Sequence, residues 1–92
     1  MYLRITRGRF DPARSEEFRA VIPSVIAAIR QLPGFQSIQT GIDAANGKSA
    51  TATTFDTLEH AQFSRSSLGA AFAALQHSGW QGDPPEIYEL WT

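Results

Sequence analysis

Leu3 and Ile5 alternate with Tyr2, Arg4 and Thr6 at the start of the chain, and that two-residue period predicts a strand over Tyr2 to Thr6. Gly8-Arg9-Phe10 leaves it. From Phe18 the apolar positions switch to helical spacing. Ile22, Val25, Ile26, Ile29 and Leu32 continue one stripe that would face a sheet. Asp11-Pro12 is a fitting entry, because aspartate accepts from free N–H groups and proline is pre-set for the first helical position. Glu16 and Glu17 then sit near the positive end of the helix dipole. Pro23 removes a backbone hydrogen bond and presses on the carbonyl of Arg19, so a kink near Val21-Ile22, or two short helices, is expected. Leu32-Pro33-Gly34 ends the element.

A hairpin follows. Asn46-Gly47 is a strong signal for a two-residue type I′ turn, whose central residues both need positive φ. That loop would place Ala45 opposite Lys48, Ile42 opposite Thr51, Thr40 opposite Thr53 and Ile38 opposite Phe55. One face then carries Ile38, Thr40, Ile42, Thr51, Thr53 and Phe55. The other carries Phe35, Ser37, Gln39, Gly41, Ala50, Ala52 and Thr54. A longer loop closing between Asp43 and Lys48 would keep the parity if it added residues evenly. No charge occurs from Phe35 to Ile42 or from Ser49 to Phe55. A solvated sheet face normally shows charged alternation, so a second sheet is expected to cover the outer face, most simply that of a second copy.

Asp56 with Glu59 reads as a helix start, and Leu58, Ala61, Leu68, Phe72 and Leu75 as its inward positions. Ser64 to Gly69 is weakly helical, so a break is expected there. Gly79, Gly82, Pro84 and Pro85 mark a loop, and Glu86 to Trp91 reads as the last strand. The order β-α-β-β-α-β predicts one α+β domain over residues 1–92, a ferredoxin-like antiparallel sheet with both helices on one face. Ninety-two residues fit one domain.

Net charge is −1 without a basic cluster, which speaks against nucleic acid as a partner. There is no cysteine and hence no disulfide or thiolate chemistry. No apolar run approaches the ~18 residues of a membrane span. A cytoplasmic protein with no membrane partner is the expectation.

The stretches Leu32-Pro33-Gly34-Phe35, Asn46-Gly47, and Phe55-Asp56-Thr57 leading into Leu58-Glu59-His60-Ala61 resemble the dimeric α/β-barrel superfamily, most closely its antibiotic biosynthesis monooxygenase (ABM)-like branch. The resemblance covers nearly the whole chain. It implies two ferredoxin-like sheets facing each other in a homodimeric barrel, with a small, mostly apolar pocket between each sheet and its helices. It also implies a cofactor-independent oxygenase, or a related enzyme, acting on a small aromatic or polyketide-like molecule. A non-catalytic ligand-binding domain and a structural dimer stand as alternatives. The family's usual Trp at the end of the third strand is Phe55 here. Haem-degrading members use an Asn on the first strand and a His within the second helix. Tyr2 to Thr6 holds no Asn, and His60 and His77 lie at that helix's two ends. Neither a haem nor another cofactor is expected, and two distant histidines make no metal site. The Asn and Trp used by the cofactor-independent oxygenases do not carry over either, since Asn46 lies in the turn and Trp80 and Trp91 lie elsewhere.

His60 is the candidate catalytic residue. At a helix N-terminus its protonated form is disfavoured, so it could act as a neutral base. The plain reading is a solvent-facing histidine. Thr40, Thr51 and Thr53 are candidate ligand contacts on one sheet face, though threonine is also simply a good strand former. Phe55, Phe63 and Phe72 would supply aromatic walls, and such residues are equally core material. Arg4 and Glu89 are isolated charges on the sheet. A buried Arg–Glu pair in the dimer is the structural expectation, and an anionic ligand on Arg4 is the functional one. Tyr88, Trp80 and Trp91 add aromatic surface, with Trp91 read as an interface anchor.

Overall fold

The computed structural model describes residues 1–91. The chain runs β1 (Tyr2–Arg9), a 3-10 turn (Pro12–Arg14), α1 (Ser15–Arg30), β2 (Phe35–Asp43), β3 (Lys48–Phe55) and α2 (Leu58–Ala61). It continues with a second 3-10 turn (Arg65–Leu68), α3 (Ala70–His77), β4 (Gln81–Gly82) and β5 (Glu86–Glu89). All pairings are antiparallel. β2 pairs with β3 and β3 with β1, while the free edge of β1 takes β4 beside Gly8 and β5 beside Tyr2 to Ile5. This is the ferredoxin-like arrangement, with β4 as an added two-residue strand and β1 longer than its alternation suggested.

The Asp11 carboxylate accepts from the Ala13 N–H, as its position before Pro12 suggests, but it caps the 3-10 turn. The α-helix proper starts at Ser15. It runs through Pro23 as one element, so the expected division does not occur. Pro23 and Arg19, the two residues that proline strains, are both exposed, and the apolar stripe keeps its packing on the other side. Phe18 and Ile29 of that stripe are buried.

The hairpin loop is longer than a type I′ turn. Asp43 pairs with Lys48, Ile42 with Ser49, Thr40 with Thr51 and Ile38 with Thr53. The cause is local: the Asp43 carboxylate accepts from the Asn46 backbone N–H at 3.2 Å and from its side-chain amide at 2.8 Å. These bonds close a wider, aspartate-nucleated turn. Asn46 also holds the Asp43 carboxyl below the ordinary aspartate range. Gly47 keeps positive φ, and a Cβ there would lie 2.1 Å from the Phe10 carbonyl. Parity is preserved, so both faces keep the residues assigned to them except Phe35. A bulge between Phe35 and Ser37 turns Phe35 opposite Phe55, edge-on at 6.3 Å.

The second crossing departs further from its pattern. Thr57, not Asp56, is the N-cap, accepting from the His60 N–H at 3.2 Å. Leu58 is 44% exposed and does not face inward. The break at Ser64 to Gly69 is present, and it splits the element into α2, the 3-10 turn and α3. Ala61, Leu68 and Leu75 are buried as expected. α3 lies beside α1, tied by Arg14, whose Nη2 donates to the His77 carbonyl at 2.9 Å and to Glu17 at 2.6 Å. Phe10 stacks on Phe18 at 4.3 Å and, with Leu75, forms the core at the hairpin end. Phe55 and Phe63 form the aromatic layer at the other end, 5.6 Å apart.

Candidate functional site

Between these two aromatic layers the helices do not quite meet the sheet. A cavity of about 70 Å³ remains, roofed by Ile22, Val25, Ile26, Leu68 and Phe72. Its floor is polar. Thr40, Thr51 and Thr53 line it together, with the Thr40 and Thr51 hydroxyls 3.1 Å apart and Thr53 donating to the Arg4 carbonyl. Phe63 and Phe72 are also on the wall. The size suits one small ring, since a water needs roughly 10–15 Å³ of such space and about five would fit.

Two further candidates lie outside. Phe55 has no exposed surface and sits behind Phe63, where it supports the wall without lining it. His60 is not on the cavity wall. Its Nδ1 donates to Asp56 at 2.7 Å, which holds the Asp56 carboxyl below the ordinary aspartate range. The pair lies against Gly34, where a Cβ would meet the Asp56 oxygen at 2.0 Å. That close approach accounts for the glycine of Pro33-Gly34-Phe35, which turns with φ of 75°.

Arg4 is the most unusual residue of the site. It is 3% exposed, and it extends from the helix-facing side of β1. The broken crossing leaves backbone carbonyls at the end of α2 without helical partners. Arg4 Nη1 donates to two of them, Ala61 at 2.8 Å and Phe63 at 2.7 Å, and the guanidinium lies over the Phe63 ring at 3.8 Å. Its Nε is buried and has no partner. Burial, and then repulsion from Arg65, push the guanidinium down to about 10, so it is still protonated at neutral pH. The expected Arg4–Glu89 pair does not form within the chain. Glu89 is exposed opposite Tyr2, and Arg4 is turned toward the carbonyls of the break.

Sequence reasoning passed over Arg65 and undervalued Trp80. Both line the cavity. The Trp80 indole lies over the paired Gly8 and Gly82, where a Cβ would stand 2.1 Å and 2.2 Å from it, and donates to Ser49 at 3.0 Å. Arg65 lies over that indole at 5.2 Å and donates to the Asp83 carbonyl. Gly8 following a strand was the available signal for the indole. Arg65, inside a serine-rich break, had none.

A wider depression of about 530 Å³ at the hairpin end of the sheet is walled in part by Arg7, Arg9, Lys48 and Asp83. Arg7 pairs with Glu86 and Arg9 with Asp83, so its charges are largely spent on one another. Among the described residues no three of His, Cys, Asp and Glu gather as a metal site. None of their helices is long and apolar enough to cross a membrane.

A five-stranded antiparallel sheet under a helical layer with a pocket between them defines a ferredoxin-like fold. Solved structures share that fold. SnoaB, a cofactor-independent oxygenase from Streptomyces nogalater, superposes with a TM-score of 0.73 at 14% identity, over 99% of this chain and 93% of that one. A candidate antibiotic biosynthesis monooxygenase from Deinococcus radiodurans gives 0.74 at 18% identity, over 100% and 94%. Another from Nitrosomonas europaea gives 0.73 at 16%, over 100% of both chains. At these identities the likeness is one of fold. No protein-family profile and no curated protein sequence matches the chain.

Proposed function

We propose that this chain takes a small aromatic or polyketide-like molecule into the cavity and acts on it as a cofactor-independent oxygenase. The observation that carries the reading is an apolar cavity with a hydroxyl floor and arginines but no carboxylate on its wall. Chemistry of this kind starts from an acidic ring. Losing a proton gives an enolate or phenolate that donates electrons to dioxygen, and overall an activated CH2 and one O2 become a carbonyl and one water. Arg4 and Arg65 would stabilise that anion where water is scarce. The sequence likeness to a cofactor-independent oxygenase is slight, but the fold is shared.

One observation favours a second reading, a protein that holds its ligand without turnover. The lining polar groups are Thr, Ser and Arg, none of them a base at neutral pH, and His60 lies outside the cavity, bonded to Asp56. Oxygen uptake and binding, measured together with a panel of small hydroquinones, separate the two. Uptake above autoxidation with a product that has gained one oxygen atom supports the oxygenase; binding without such a product supports the holder. No binding of any of these hydroquinones at millimolar concentration would overturn the oxygenase reading for phenolic substrates.

A homodimer, located in the cytoplasm, is part of the same proposal. The sheet face away from the helices carries Leu3, Ile5, Gln39, Ala52 and Thr54, its charges Arg7 and Glu86 beside Ile5 are paired with each other, and Tyr88 and Trp91 are 50% and 89% exposed. A second copy covering it would bury more than ~1,200 Å² in total. Sedimentation as a monomer at micromolar concentration would overturn this.

A further inference from the structure

Arg4 is built for more than the two carbonyls it holds. An arginine has N–H donors on three nitrogens, and the pair on one edge, Nε and Nη2, is the fork that takes a carboxylate side-on. Both hydrogen bonds of Arg4 come from Nη1. Its Nε is buried without a partner, and among the described residues Nη2 donates to nothing. The unspent edge is therefore the bidentate one, on a residue that lines a cavity. A buried charge with open donors is costly unless an anion completes it.

The surroundings point the same way. Arg65 is a second cation on the same wall, close enough to repel Arg4. Neither arginine is in an ion pair among the described residues, whereas Arg7, Arg9 and Arg14 each are. No Asp or Glu lines the cavity. An anion there would satisfy the open edge and relieve the repulsion between the two guanidinium groups. The remaining wall is aliphatic and aromatic, so the rest of the ligand must be apolar.

We propose that the cavity is a site for a small single-ring monocarboxylate. Its carboxylate takes the unspent Nε–Nη2 edge of Arg4 once a small turn of the side chain uncovers Nε, which is closed off as it stands, with Arg65 as the second cation. Its ring lies among Ile22, Val25, Ile26 and Phe72. This rests on the cavity being a ligand pocket, and it narrows the ligand from aromatic molecules in general to anionic ones of one ring.

Benzoate and its neutral counterpart benzamide are the probes, titrated by calorimetry and by ligand-observed NMR at pH 7 into the wild-type chain. Benzoate should bind at least about tenfold more tightly, the scale of a charge-assisted pair. Arg65→Gln, which leaves the carbonyl bonds of Arg4 intact, should cut benzoate affinity severalfold and leave benzamide unchanged. Arg4→Lys keeps the charge but loses the fork, and should bring benzoate close to benzamide. Its fold is checked by circular dichroism, and Arg65→Gln decides the matter if that variant does not fold. Equal affinities for the two probes in the wild type, or an Arg65→Gln variant with unchanged preference, would overturn the anion site and leave the pocket reading standing. Failure of both probes to bind would overturn the pocket reading itself.

Discussion

The first crossing over the sheet contains a proline and does not break; the second contains none and breaks in two places. Pro23 sits on the exposed side of α1, and the stripe of Phe18, Ile22, Val25 and Ile29 holds the helix to the sheet on the other side. Past Ala61 the second crossing has only Ser64 to Gly69 to offer, and its buried positions, Ala61, Leu68 and Leu75, are far apart. The carbonyls released at the break are taken by Arg4 from the opposite layer, and Gly69 re-enters the helix with φ of 59°. Continuity here follows from where side chains can be buried and where loose backbone groups find partners. The strongest local breaker does not decide it.

The sharpest way to break this comparison is Arg4→Leu. It leaves the Ala61 carbonyl buried without a donor, and a loss of about 3 kcal/mol in urea unfolding is expected. An unchanged midpoint would mean that water serves those carbonyls and the guanidinium is not needed there. Pro23→Ala should act in the opposite direction and more weakly. Restoring one hydrogen bond on an exposed face should add about 1 kcal/mol, less than the ~3 kcal/mol a proline costs in a free helix interior. A lower melting temperature in the variant would show that Pro23 is packed and that exposure does not explain its tolerance.

The smallest effect lies at the start of the second crossing. Asp56 is held below its ordinary value of 3.8 chiefly by the hydrogen bond from His60. Because the folded-state value is the lower one, the pair's contribution is fully present above the ordinary aspartate range. It is lost as the pH falls through the depressed value. A carboxyl-carbon NMR titration should find Asp56 titrating below 3.8 in the wild type and returning toward it in His60→Ala. An unshifted wild-type midpoint would remove the pair as an anchor of Gly34 and the turn beneath it.

Much of the candidate site could be read in the strands. Thr40, Thr51 and Thr53 were placed on one face by parity, and parity survived a loop wider than the Asn46-Gly47 signal implied. Phe63 and Phe72 reach the wall from either side of the predicted break. His60 fails as a base for the cavity because it lies off the wall; its bond to Asp56 leaves the other ring nitrogen unused. With Thr57 as the helix cap, Asp56 is free to take the His60 ring.

By itself the sequence determined what depends on neighbours one to four residues away. These features are the strand parities, the uncharged hairpin, the apolar stripe of α1 and the weak stretch at Ser64 to Gly69. The tertiary structure decided what depends on distant partners. Arg4 meets carbonyls 57 and 59 residues away, and Trp80 meets Ser49 across 31. A lone arginine in a strand carries no local mark of whether it faces a carboxylate, a carbonyl or a cavity. Only the packing of the broken helix above it leaves one edge of that guanidinium satisfied and the other open.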